Sequence, residues 1–255
     1  MLLVQQVLLG FLAPQVQLFM ETEQQLELYL LRQEKAFSPE VIKLFTDAGN
    51  GEGGALAALG RLDPDIARIL DSHGPPPDRS LPASFDTLAR AIVGQQVSRA
   101  AASSIWQRME AAGFIDAEFC ATATPELLMS AGLSRRKAEY LSGIADEVVS
   151  GRLDMAALAH LPGESVQKRL VEIRGVGAWT ADNFRLFALA DMDAWPVKDV
   201  ALQEAMRILK SLNTRPDAYM MEALGEGWRP YRGAGALMLW HLYAIDVRNA
   251  SVADI

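Results

Sequence analysis

The chain has 255 residues, half of them hydrophobic and 22% charged, with a net charge of −8; this is the composition of a globular protein with length for one large or two small domains. A single cysteine, Cys120, excludes an internal disulfide framework and an all-cysteine iron–sulfur cluster, and His73, His160 and His241 are too scattered for a zinc site. The acidic balance argues against a strongly basic nucleic-acid binder, so any such binding must rest on the local field and on backbone amides, and would be modest and salt-sensitive.

Met1 to Met20 are apolar and uncharged, but Gln5, Gln6, Pro14, Gln15 and Gln17 make them a poor membrane span. The first basic residue is Arg32, so a signal peptide is not indicated. The segment reads as an extra N-terminal helix or as sequence upstream of the true start, with Met20 the favoured start and residues 1–19 then mis-assigned. Residues 21–72 read as helices with polar breaks, and Asn50 to Gly54 as a turn. Asp63-Pro64 is a capped helix start with proline at its first position. Gly74-Pro-Pro-Pro77 ends this unit as a linker. Residues 1–80 are therefore expected to form an N-terminal helical extension.

From Ser84 onward helical spacing dominates. It is carried by Phe85, Leu88, Ile92 and Val93, then Ala138, Leu141, Ile144, Ala145 and Val148, then Leu202, Ala205, Met206 and Leu209, then Leu237, Leu239, Trp240 and Tyr243. No alternating strand pattern and no internal repeat is present. The expected fold is all-α, a two-lobed helical domain over 81–255 with a cleft between the lobes.

Leu170 to Asp182 reads as a helix over Glu164–Glu172, a tight Gly175-Val176-Gly177 turn, and a second helix from Ala178. Val166, Leu170 and Ile173 are expected to face inward. The glycines let the backbone turn and approach a partner, and the N–H groups opening the second helix suit a phosphate oxygen. Taken alone, such a turn is better explained as a packed helical hairpin. Asp199 follows Trp195-Pro-Val-Lys198 at the start of another helix; it reads as a helix cap or as a carboxylate placed for chemistry.

Ile173 to Ala181 with Trp195 to Asp199 resembles the helix-hairpin-helix/Gly-Pro-Asp superfamily of DNA glycosylases, in particular its alkylbase branch, DNA-3-methyladenine glycosylase II. Ala91-Ile-Val-Gly-Gln-Gln-Val-Ser98, Gly132 to Leu141 and Trp228 to Trp240 resemble that branch's other motifs, in family order from about Pro82 to Tyr243. The resemblance implies base excision repair: a damaged base is flipped into a pocket and its N-glycosidic bond is cut, with Asp199 stabilising an oxocarbenium-like transition state. Trp179 stands where the family's lyases carry a lysine nucleophile, so a monofunctional enzyme is expected. Lys198 is read as a phosphate or surface contact.

The resemblance also implies a base pocket of Trp179, Trp240, Val200 and Asn183, with indole faces suited to cationic methylated bases. Asn183 and Val200 replace tyrosines of one subgroup. Gln96 is the implied wedge in the gap left by flipping, and Gln95 a brace for its loop. The expected DNA-backbone contacts are Arg174, Gly175, Gly177, Thr180, Ser98, Arg135 and Lys137, Arg174 replacing a common proline. No cofactor is implied. A structural Na+ or K+ could sit on the backbone carbonyls of Val171, Ile173 and Val176. The implied partner is double-stranded DNA carrying alkylated bases, with no membrane and a monomeric enzyme. The expected location is cytoplasmic, at the nucleoid of a bacterium, or nuclear in a eukaryote. Two other readings remain at this point: a glycosylase for uracil, hypoxanthine or an oxidised purine, and a non-catalytic damage-binding protein.

Overall fold

A computed structural model describes residues 54–247. The apolar segment before Met20, the helices expected over 21–53 and the last eight residues lie outside that range. In chain order the helices are α1 (Ala55–Leu62), α2 (Pro64–His73), α3 (Phe85–Gly94), α4 (Arg99–Ala111), α5 (Ala117–Thr122), α6 (Pro125–Ser130) and α7 (Arg135–Val149). There follow α8 (Met155–Leu158), α9 (Gly163–Val171), α10 (Ala178–Ala188), α11 (Val200–Leu209), α12 (Ala218–Gly225) and α13 (Arg232–Leu242). A 3-10 turn, Glu226–Trp228, leads into α13, and a π-helical turn, Tyr243–Val247, ends it. Among the described residues there is no strand, and no helix is long and apolar enough to cross a membrane.

Most of these helices start where a short polar side chain can hold a first-turn N–H. Asp63, Ser98, Asp116, Thr124, Ser134, Asp154, Asp199 and Asp217 each accept such a bond. Pro64 and Pro125 occupy opening positions that need no donor.

The helices gather around two cores. The first is built by α3 to α10 around Leu88, Ile92, Met109, Leu128, Leu141, Ile144 and Leu170. The second joins α1 and α2 to the chain after Ala194 around Leu59, Ile66, Leu202, Met206, Trp228 and Leu239. α10 serves both, giving Ala181, Phe184 and Ala188 to the first core and Leu186 to the second. The hairpin therefore lies at the junction of the two lobes.

Residues 55–73, read from sequence as part of a separate extension, share a core with the C-terminal helices. Their apolar stripes alone cannot bury themselves, and a buried polar cluster fixes where they dock. Asp63 accepts from Lys210 Nζ at 2.8 and 2.7 Å and from Trp228 Nε1 at 2.7 Å. Burial raises the Asp63 carboxyl, but Lys210, Trp228 and the Asp65 N–H more than offset it and hold it below the usual range.

Candidate active site

The α9–α10 hairpin is closed by Ile173 N donating to Leu170 O at 3.1 Å and Val176 N donating to Ile173 O at 3.0 Å. Val166, Leu170 and Ile173 face inward, as their spacing predicts. The two glycines differ in what demands them. Gly175 has φ +98°, and a Cβ there would lie 2.4 Å from the Tyr140 ring. Gly177 has φ −89°, and nothing lies within 4 Å of the Cβ it lacks. The fold needs Gly175; Gly177 leaves open the space over the start of α10, which has no side-chain cap. Gln95 braces the turn, donating through Nε2 to Gly175 O at 3.1 Å and towards Thr180 Oγ1 at 3.4 Å.

Asp199 caps α11 and is the hub of the site. Its Oδ1 accepts from Leu202 N at 3.0 Å and from Trp240 Nε1 at 3.2 Å. Its Oδ2 accepts from Trp179 Nε1 at 2.8 Å. The cap and the chemical reading of this carboxylate are thus compatible: one N–H and two indoles orient it. Trp179 comes from α10 and is 39% exposed. Trp240 comes from α13 and stacks on Phe187 with centroids 5.4 Å apart. Val200, beside the carboxylate, is 57% exposed. Asn183 lies one turn after Trp179 and donates to its carbonyl at 2.7 Å, so its amide is committed to the helix backbone.

Beyond Trp179 a groove of about 550 Å³ is lined by Gln96, Arg136, Lys137 and Tyr140 among others. Gln96 is exposed and holds φ 55°, a left-handed conformation that disfavours any residue with a Cβ. Its strain and its position at the groove fit a side chain offered outward. Ser98 is exposed and caps α4 through Ala101 N at 3.2 Å. Arg174 is exposed, 3.5 Å from Glu139, with its guanidinium 5.7 Å from the Tyr140 ring centroid.

Three expected contacts need correction. Thr180 is 2% exposed and turned towards Gln95, so only its main chain could meet a phosphate; helix geometry puts it one residue past the open face. Arg135 pairs with Glu126 at 2.8 Å and does not line the groove, whereas its neighbour Arg136 does. Lys137 does line it, but its ammonium donates to Val93 O at 2.8 Å, closing α3, and burial lowers its pKa. Val171 ends α9, and the Ile173 carbonyl already accepts one bond within the turn.

Sequence reading missed the ion pairs behind the site. Arg185 on α10 reaches Asp191 at 2.7 Å and Asp182 at 2.8 Å, and Gln167 also donates to Asp182. Burial pushes the Asp182 carboxyl up to about 6, against the pull of Arg185 and Gln167. Arg232 and Arg229 both hold Asp193. Burial raises the Asp193 carboxyl, but Arg232 and Arg229 outweigh it and leave it below the usual range. Only the arginines of the Trp228–Trp240 motif hinted at this. Their partners lie far off in sequence and carry no local pattern.

Residues 89–230 match the family described as HhH-GPD superfamily base excision DNA repair protein. A DNA-3-methyladenine glycosylase of Bacillus subtilis is 29% identical over 64% of this chain and 58% of its own length. Another B. subtilis relative is matched over 37% of its length. The chain thus spans less than two thirds of the length of either relative. The structure of a DNA-3-methyladenine glycosidase from Bacillus halodurans superposes with TM-score 0.68 and 30% identity, over 76% of this chain and 91% of that one. The Schizosaccharomyces pombe 3-methyladenine DNA glycosylase in complex with abasic DNA gives TM-score 0.68 and 26% identity, over 75% and 97%.

Proposed function

The chain belongs to the HhH-GPD superfamily of base excision DNA repair proteins, and on that footing we propose that it is a monofunctional DNA glycosylase for alkylated bases. It flips 3-methyladenine or 7-methylguanine out of duplex DNA and hydrolyses the bond between base and sugar. The observation that carries this reading is Asp199, an ionisable carboxylate fixed between the N–H groups of two tryptophans at the junction of two lobes.

Cleavage sends the C1′–N electron pair away with the base and leaves positive charge on the sugar. A carboxylate held in place by three donors stabilises that charge without reorganising, and it can orient the water that adds to C1′. A ring-methylated base is already cationic, so it leaves neutral and needs no protonation. The indoles offer it π faces. No amine stands at position 179, so no Schiff base forms and the product is an intact strand with an abasic site. What these relatives are favours the same substrates: the Bacillus subtilis, B. halodurans and S. pombe proteins are DNA-3-methyladenine glycosylases or a glycosidase, and the last is in complex with abasic DNA.

Duplex DNA lies over the hairpin, a phosphate meeting the first N–H groups of α10 above Gly177, with Gln96 as the wedge and Arg136 and Arg174 facing the backbone. A monovalent cation suits the carbonyl oxygens of Val171, Ile173 and Val176, since a carbonyl keeps a second lone pair after one hydrogen bond. The chain acts as a monomer wherever its genome is, at the nucleoid of a bacterium or in a nucleus. The test is incubation with methylated DNA: 3-methyladenine and 7-methylguanine should appear free in solution, and no release of any alkylated base would refute the reading.

A further inference from the structure

The Trp228–Trp240 motif contains two arginines and two glycines that the base pocket does not use. The structure gives them work. Arg232 is 8% exposed. It grips Asp193 as a fork, Nε to Oδ1 at 2.8 Å and Nη2 to Oδ2 at 2.7 Å, while its own N–H lies 3.3 Å from Oδ1. Arg229 adds a bond to Oδ2 at 2.9 Å. Gly233 N donates to Met192 O at 2.6 Å, and a Cβ on Gly233 would lie 2.8 Å from the carbonyl oxygens of Asp191 and Met192. The start of α13 is pressed onto the backbone of the loop that leads to Asp199.

That loop has little slack. Ala194 N donates to Asp191 O, Val197 N to Trp195 O and Asp199 N to Pro196 O, at 3.1, 2.9 and 3.0 Å. Trp195 is buried and donates to Met221 O at 3.0 Å, and Gln203 holds Val197 O at 2.9 Å. On its other side the loop is held by Arg185 through Asp191. So α10 grips the loop at Asp191 and α13 grips it at Asp193, and these same two helices carry Trp179 and Trp240. A buried ion pair seldom adds net stability over apolar packing, but its fork geometry fixes a register.

We propose that Arg232 is a positioning residue: through Asp193 it locks the loop that carries Asp199 and so sets where that carboxylate stands between Trp179 and Trp240. The proposal rests on the reading of Asp199 as the reacting carboxylate. It predicts that loosening the lock lowers the rate of base release and leaves DNA binding intact, because the hairpin, Gln96 and the groove belong to other elements. A misplacement of the reacting group by about 1 Å costs on the order of 10²-fold in rate.

The test compares wild type, Arg232→Met, Arg232→Lys and Gly233→Ala. Three quantities are read: the single-turnover rate on a duplex with one 7-methylguanine, the Kd for the same duplex carrying a tetrahydrofuran abasic site, and the indole N–H peaks in a ¹H–¹⁵N spectrum. All five tryptophans, 106, 179, 195, 228 and 240, donate a hydrogen bond from Nε1, so each peak reports one contact. Phe substitutions at 179 and 240 assign the two that matter. The expected result is a rate lowered by about 10²-fold in Arg232→Met and Gly233→Ala, with Arg232→Lys falling between because it keeps the charge without the fork. The abasic-site Kd should stay within about threefold, less than 1.4 kcal/mol in binding. The Trp179 and Trp240 peaks should move while that of Trp106, bonded to Glu110 in the other lobe, stays. An unchanged rate, or unmoved Trp179 and Trp240 peaks in a folded Arg232→Met protein, would overturn the proposal. So would a rate loss matched by an equal loss of abasic-site affinity, which marks a general structural role. If wild type releases no alkylated base, the functional reading fails by itself, and the indole peaks still decide whether the lock exists.

Discussion

Asp199 accepts one backbone and two indole hydrogen bonds, which limits what any replacement can do. In Asp199→Asn the amide NH2 must face a donor, either Trp179 Nε1 or the pair on the other oxygen. Base release should fall by about 10²–10³-fold, the usual cost of removing one electrostatic stabiliser, with one indole peak displaced. At Gln96 stability and activity should part. Glycine there relieves a left-handed strain of about 1–2 kcal/mol, offset by its greater freedom when unfolded. Gln96→Gly should therefore melt at or slightly above the wild-type temperature while its single-turnover rate on lesion duplex drops, because nothing fills the gap left by the flipped base. A rate equal to wild type would remove Gln96 from the role of wedge.

Across the hairpin the paired glycines make a sharper contrast. Gly175→Ala adds a Cβ at φ +98° against Tyr140 and should destabilise the fold by about 2–4 kcal/mol. Gly177→Ala meets no atom of the protein; its melting temperature should hold while affinity for abasic duplex falls, measured by anisotropy at fixed salt. If Gly177→Ala binds like wild type, DNA does not pass over this turn. The hairpin was legible in sequence because its information is local: an amphipathic helix, two glycines and a new helix start. The same holds for Asp63-Pro64 and Asp199, where the residue that starts the helix also names its position. Partners hidden by distance were not legible. Thr180 and Arg135 were placed on the open face because a motif gives residue types and not rotation about a helix; one step along α7, it is Arg136 that lines the groove. The Arg232–Asp193 lock joins residues 39 apart, and nothing near Asp193 announces it.

For the whole molecule, the second lobe depends on helices far from it in sequence. Leu56, Leu59, Ile66 and Ile69 fill the core under α13, so a chain begun at residue 81 should expose that face and fail to give a cooperative melt. Asp63→Ala should cost about 1–3 kcal/mol, since the buried Trp228 N–H would lose its acceptor while Lys210 keeps Asp65. The pH dependence follows from the folded-state shifts. Asp63 and Asp193 titrate below their unfolded values, so their stabilisation is present above about pH 4 and is lost as pH falls through the folded pKa. Asp182 acts in the opposite sense: its folded pKa is raised to about 6, so its stabilisation is full below the unfolded value and is lost as pH rises to about 6. Asp182→Asn should flatten the melting temperature between about pH 4 and 6, and an unchanged slope would place its titration elsewhere. Both lobes exist to bring a hairpin, a carboxylate and two indoles to one junction, and one assay reads whether they act together. A duplex with a single 7-methylguanine is given to excess wild type and to excess Asp199→Asn, and the strands are resolved with and without hot alkali. Cutting by wild type should appear only after alkali and be lost in the variant; cutting without alkali, or equal cutting by both proteins, would refute a monofunctional glycosylase centred on Asp199.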